Sequence, residues 1–221
     1  MRPISEVTRW LHVVVATLAV WALDRIRSIF DKLDLANYAL LATVILAVIG
    51  MQVADRLAIG AIDRFRWIRR ILSGRNDIEG DWVEVMGDSV NPAQIIRVSY
   101  SRIRFQGGRH VLSGDDWTID GTWIGEYVTT GGANYAGRQL EYYYHIGILR
   151  SSGHGIILFS PNDSLPTEFM CKYLDEEAKS MFVAKGRRVA TRLRRLDFNK
   201  RREAALAFAN SFDPKDMPRM M

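Results

Sequence analysis

The stretch Gln139–Leu149, QLEYYYHIGIL, alternates along its whole length. Leu140, Tyr142, Tyr144, Ile146 and Ile148 share one side of an extended chain, with Tyr143 and His145 opposite. That is the period of two expected of a strand with one buried face. Working outward in both directions, Ile78–Met86, Gln94–Phe105, Arg109–Ile119, Thr122–Thr130, Gly155–Ser160, Thr167–Leu174 and Ser180–Lys185 read as further strands. Turn signals stand between them: Asn91-Pro92, Gly107-Gly108, Asp120-Gly121, Gly131-Gly132, Ser151-Ser152-Gly153 and Ser160-Pro161-Asn162-Asp163. Eight short strands linked as hairpins predict an all-β, up-and-down antiparallel barrel or a strongly curled sheet, with the closed barrel preferred because closure leaves no edge exposed. Arg188–Leu196 fits a last strand or a helix, with strand preferred. Asp197–Phe212 reads as a C-terminal helix with Ala204, Ala205, Phe208 and Phe212 on one face.

The N-terminal quarter obeys a different pattern. Leu35–Ala54 runs for 20 residues without a charge, and a helix of that length spans about 30 Å, the hydrocarbon thickness of a bilayer. Trp10–Leu23 is a second apolar run of 14 residues, interrupted by His12 and Thr17. It is short for a spanning helix and fits a signal-peptide core, with Val20-Trp21-Ala22 as a cleavage site. A long apolar segment so soon afterwards favours a retained first helix, and together the two predict a transmembrane hairpin. His12 reads as a helix-end histidine, and Trp10, Trp21 and Tyr38 as interfacial anchors. Arg56, Arg64, Arg66, Arg69, Arg70 and Arg75 follow the second helix, while the loop Asp24–Asp34 balances Arg25, Arg27 and Lys32 with three aspartates. This asymmetry places both termini in the cytoplasm and the loop outside. Residues 56–75 continue with helical spacing as an amphipathic connector, and Ser73-Gly74-Arg75-Asn76 breaks it. The expected organisation is therefore a hairpin at 1–55, a connector at 56–75, a barrel at 76–196 and a helix with tail at 197–221.

The net charge is +5, from 30 basic and 25 acidic residues. The basic residues cluster in Arg56–Arg75 and Arg187–Arg202. The single Cys171 forms no internal disulfide. The four histidines have no metal-ligand spacing, and no phosphate loop or dinucleotide fingerprint is present. Asp115 and Asp116 are adjacent, so on a strand they face opposite ways and make a poor acid–base pair; they read as turn or surface residues. No catalytic constellation, metal site or cofactor is expected, and the chain reads as a non-enzyme.

An eight-stranded barrel is filled by side chains or holds one small ligand. Aromatic rings beside arginines suit a nucleotide, because bases stack on rings and phosphates take the forked guanidinium. The candidate ligand-binding residues are Arg97, Tyr100, Arg102, Trp123, Tyr127, Tyr142 and Tyr144. A packed core with solvated arginines outside fits the same residues.

The opening Ile78-Glu79-Gly80-Asp81-Trp82 resembles the Gly-x-Trp that begins the first strand of lipocalin-type barrels. In those barrels an arginine from the last strand often covers the tryptophan, a part that Arg192 or Arg194 would take here. With a two-helix anchor before the barrel, the chain resembles the two-transmembrane, β-strand-rich effectors of bacterial CBASS antiphage systems. The resemblance implies a bacterial inner-membrane protein functionally linked to a CD-NTase. Its barrel would recognise a cyclic dinucleotide rather than a nucleic-acid polymer. Binding would drive homo-oligomerisation and disruption of the lipid bilayer, killing the infected cell. Two rival readings stand beside it: a membrane-anchored, lipocalin-like carrier of an apolar ligand, and a non-binding membrane scaffold.

Overall fold

The computed structural model describes residues 4–32, 38–73, 76–147, 151–160, 165–176, 179–189 and 197–218. The chain divides into two compact units, Met1–Gly74 and Arg75–Met221.

The first unit is helical. α1 (Ile4–Lys32) and α2 (Ala39–Arg64) pack against each other. His12 Nε2 lies 2.8 Å from Asp55 Oδ1, and a Cβ at Gly50 would sit 3.1 Å from Val15 Cγ1. Those pairings run in opposite sequence directions, so the helices are antiparallel. Over Leu41–Arg64 α2 is long and apolar enough to cross a membrane, and almost none of that window is buried. The apolar part of α1 is the shorter segment His12–Ala22. The expected pair of spanning helices is thus met by one span candidate and a shorter apolar partner. Residues 24–32, expected in a loop, belong to α1. The connector differs as well: α2 runs on to Arg64, and the chain bends at Phe65 (φ −108°, ψ 101°) before α3 (Arg66–Ser73). Arg69 Nη1 donates to the carbonyls of Ile62 and Asp63 at 2.6 and 2.7 Å, satisfying acceptors that the end of α2 leaves open.

The second unit is a closed antiparallel barrel of eight strands in sequence order. These are β1 (Gly80–Asp88), β2 (Ile95–Gln106), β3 (Arg109–Thr118), β4 (Trp123–Ala136), β5 (Gln139–Ile146), β6 (Ser151–Phe159), β7 (Glu168–Asp175) and β8 (Ser180–Arg188). β1 pairs with both β2 and β8, which removes every open edge. After it comes α4 (Phe198–Ser211), with Asp197 as N-cap accepting from the Lys200 N–H at 2.8 Å.

Two turn readings moved. Gly131-Gly132 lies inside β4, where both glycines have positive φ and the ladder to β5 slips between Thr130 and Asn134. The reversal comes instead at Gly137-Arg138, a two-residue loop with positive φ at both positions. Ser151-Ser152-Gly153 is the start of β6. Its glycine is required for space, not for a turn. Residues 190–196, with the expected Arg192 and Arg194, lie outside the described residues.

Large and small residues interlock inside the barrel. Directly opposed pairs are Gly114 with Tyr127, Gly153 with Tyr144, Gly155 with Tyr142, and Gly186 with Phe169. In each pair the ring lies where the glycine's Cβ would be. At the end nearest the start of β1, Trp82 is fully buried against Phe159 and Phe169, with ring centroids 5.3 and 5.4 Å away. Its Nε1 donates to the Ile78 carbonyl at 3.1 Å. The guanidinium of Arg188, in the last strand, lies 5.4 Å from the Trp82 ring centre. The covering arginine is therefore Arg188. A second core lies outside the wall, where Ala205, Phe208 and Ala209 of α4 meet Val83, Val85, Val98 and Trp117.

Gly155→Ala tests the interlocking. Its Cβ would stand 2.5 Å from Tyr142 Cζ, and overpacking of this kind costs about 1–3 kcal/mol. Denaturant unfolding is expected to show that loss in the single variant and partial recovery when Tyr142 is also reduced to leucine.

Candidate ligand site at the open end of the barrel

The end opposite Trp82 is open. Alternation along each strand brings Glu84 and Met86 (β1), Arg97 (β2), Asp116 (β3), Tyr127 (β4), Tyr142, Tyr144 and Ile146 (β5), Tyr173 and Asp175 (β7) and Phe182 (β8) to one cavity. Its empty space, including the opening to solvent, is about 390 Å³. The side chains fill it closely enough that about one water-sized sphere fits between them.

Four of the seven expected ligand residues, Arg97, Tyr127, Tyr142 and Tyr144, line this cavity. The other three do not. Tyr100 and Arg102 lie an odd number of residues from Arg97 on the same strand, so they face outward. Tyr100 joins the core beneath α4, and Arg102 pairs with Asp81. Both also line an outer groove with Arg104, Ser113, Glu126 and Arg201, where Arg201 Nη1 stands 2.5 Å from Asp115 Oδ2. Trp123 shares parity with Tyr127, yet it pairs with Trp117 on the outer face and packs edge-on against Phe198 at 6.0 Å. The cause is a bulge: from Gly125 to Trp123 β4 steps two positions where β3 steps one, from Asp116 to Trp117, which leaves Ile124 as the extra residue.

The sequence reading passed over the acids. Glu84 is 2 % exposed; Tyr173 donates to its Oε2 at 2.6 Å and Tyr127 to its Oε1 at 3.2 Å. Asp116 accepts from Ser99 Oγ at 2.5 Å, and Asp175 from Ser151 Oγ at 3.0 Å. Asp115 and Asp116 do face opposite ways, but neither is a turn or surface residue: both are 4 % exposed. Parity with Trp82 is the signal that could have found Glu84, since residues two apart on a strand share a face. The Tyr142 hydroxyl is buried among these groups without a well-aligned hydrogen bond.

Burial sets the electrostatics. It pushes the Glu84 carboxyl up to about 7; the Tyr173 and Tyr127 hydrogen bonds oppose it, and the charge of Asp116 adds to it. Asp116 is pushed up to about 6, again chiefly by burial, against the Ser99 hydrogen bond and the nearby Arg97. The cavity is thus a polar, partly protonated cup with one guanidinium at its mouth; Arg97 lies 5.6 Å from the Phe182 ring centre. Such a cup can hold an anionic group at Arg97 and accept N–H donors deeper in. Among the described residues no group of three His, Cys, Asp or Glu is placed to hold a metal ion.

No family model matches the chain, and neither does any curated protein.

The folded protein keeps the Glu84 proton to a higher pH than the unfolded chain does. The contribution of Glu84 to stability is therefore greatest in acid and falls as pH rises from about 4.5 to about 7. Glu84→Gln is expected to remove that slope, on the order of 3 kcal/mol across the window. Denaturant titrations of both proteins at each pH measure it.

Proposed function

We propose that this chain is a membrane-anchored sensor and antiphage effector. A cyclic dinucleotide at the mouth of the barrel drives oligomerisation, and the gathered N-terminal helices disrupt the bacterial inner membrane. The observation that carries the reading is the cavity that Arg97 lines together with Tyr127, Tyr142 and Tyr144, with a membrane-span candidate preceding the barrel. The resemblance to CBASS effectors supplies the ligand class and the outcome. In this reading α1 and α2 both enter the bilayer, both termini are cytoplasmic, and a partner CD-NTase makes the ligand.

This reading puts the ligand at the rim. With room for about one water-sized sphere, the resting cavity does not enclose two nucleotides. One phosphate meets Arg97 at the rim, one base edge enters the cup, and Phe182 and Arg97 swing aside to admit it. Binding of this kind shifts a population only as far as the ligand prefers the opened state. The close filling of the barrel favours the scaffold reading as the alternative. The polar lining of Glu84, Asp116 and Asp175 disfavours a carrier of apolar ligands.

Thermal shift of the full-length protein against a panel of cyclic dinucleotides tests the reading. A cognate ligand at 100 times its Kd adds about 2.7 kcal/mol to stability. Arg97→Ala is expected to cut the shift most strongly, and Tyr142→Phe, which removes only a hydroxyl, more weakly. If no member of the panel raises the melting temperature or releases dye from liposomes carrying the protein, the scaffold reading replaces this one.

A further inference from the structure

Helix α4 packs on β1 and β2. The outer wall formed by β5, β6 and β7 carries another set of apolar side chains. Tyr143 is 57 % exposed, Leu158 45 %, Met170 48 % and Leu174 41 %. They are arranged in rows by the strand register: Tyr143, His154 and Leu174 in one, Gln139, Leu158 and Met170 in another. Between those rows lies a third, Glu141, Ile156 and Lys172, an acid and a base on either side of an isoleucine. Glu141 also meets His154 Nε2 at 3.1 Å on the same wall.

We propose that this wall is the docking surface for a second copy of the chain, on a twofold axis that runs along β6 through Ile156. The charge order selects the partner and the axis together. An axis along the strand sets Glu141 of each copy against Lys172 of the other, Ile156 against itself and Tyr143 against Leu174, a self-complementary match. An axis across the strands would set Glu141 against Glu141 and Lys172 against Lys172, which repel. Bilayer hydrocarbon would offer Lys172 and the Glu141–His154 pair no charge across the interface. The inference rests on the proposed membrane assembly and names the surface through which it forms.

The test uses the full-length protein in liposomes, with Ile156→Cys on the axis; the native Cys171 is buried. Mild oxidation is expected to yield a covalent dimer that Glu203→Cys, exposed on α4, does not give. Glu141→Lys or Lys172→Glu added to Ile156→Cys is expected to lower the yield about tenfold, since like charges then face each other. The charge-swapped pair together is expected to restore it. Absence of the Ile156 crosslink, or a swap that fails to restore it, overturns the inference. Thermal shift of the same variants with cyclic dinucleotides separates the two claims. A ligand shift without the crosslink leaves the sensor reading standing and removes this interface. A charge-rescued crosslink without any ligand shift keeps the interface and removes the sensor reading.

Discussion

The barrel depends on the fit of rings into glycine gaps. An eight-stranded barrel has an interior of fixed and small bore. Tyr127, Tyr142, Tyr144 and Phe169 can all point inward because the residue opposite each is Gly114, Gly155, Gly153 or Gly186. The same substitution of backbone for side chain explains the composition of β6, whose inward positions include both Gly153 and Gly155. The rings fill the middle of the barrel, Trp82 seals one end, and the polar atoms they carry are left to be satisfied at the other. The hydroxyls of Tyr127 and Tyr173 meet Glu84 there. The chemistry of the open end is therefore a by-product of how the interior is packed.

Most of the fold was readable because strands with one buried face announce their period. All eight strands, their antiparallel order and the helix capped by Asp197 follow from alternation and turn residues. The failures have local causes. Gly131-Gly132 and Ser151-Ser152-Gly153 carry turn composition, but one is a bulge inside β4 and the other makes room for the Tyr144 ring. Composition alone cannot separate a glycine needed for φ from one needed for space.

The site was half legible. Arg97, Tyr127, Tyr142 and Tyr144 converge, whereas Tyr100 and Arg102 were grouped with Arg97 by chemistry although parity separates them. Trp123 kept the right parity and was still displaced, because the adjacent bulge turns it outward. Glu84 and Asp116 were missed for the opposite reason: acids are usually at the surface, and only their neighbours' orientation reveals that these are not. In the N-terminal unit, apolar length identified α2. Residues 24–32 of the loop expected after Trp10–Leu23 are helix, since charged residues continue a helix as readily as they end one.

Closure of the barrel has a consequence for the order of events during synthesis. β1 pairs with β8, so Trp82 meets Arg188 across nearly the whole second unit. Contacts so distant in sequence form late. The N-terminal helices leave the ribosome long before β8 exists, so α1 and α2 are complete while the barrel is still open. A chain halted before β8 would hold its helical unit complete yet retain two unpaired strand edges. In such a protein the helical unit and the barrel are separated in time as well as in sequence.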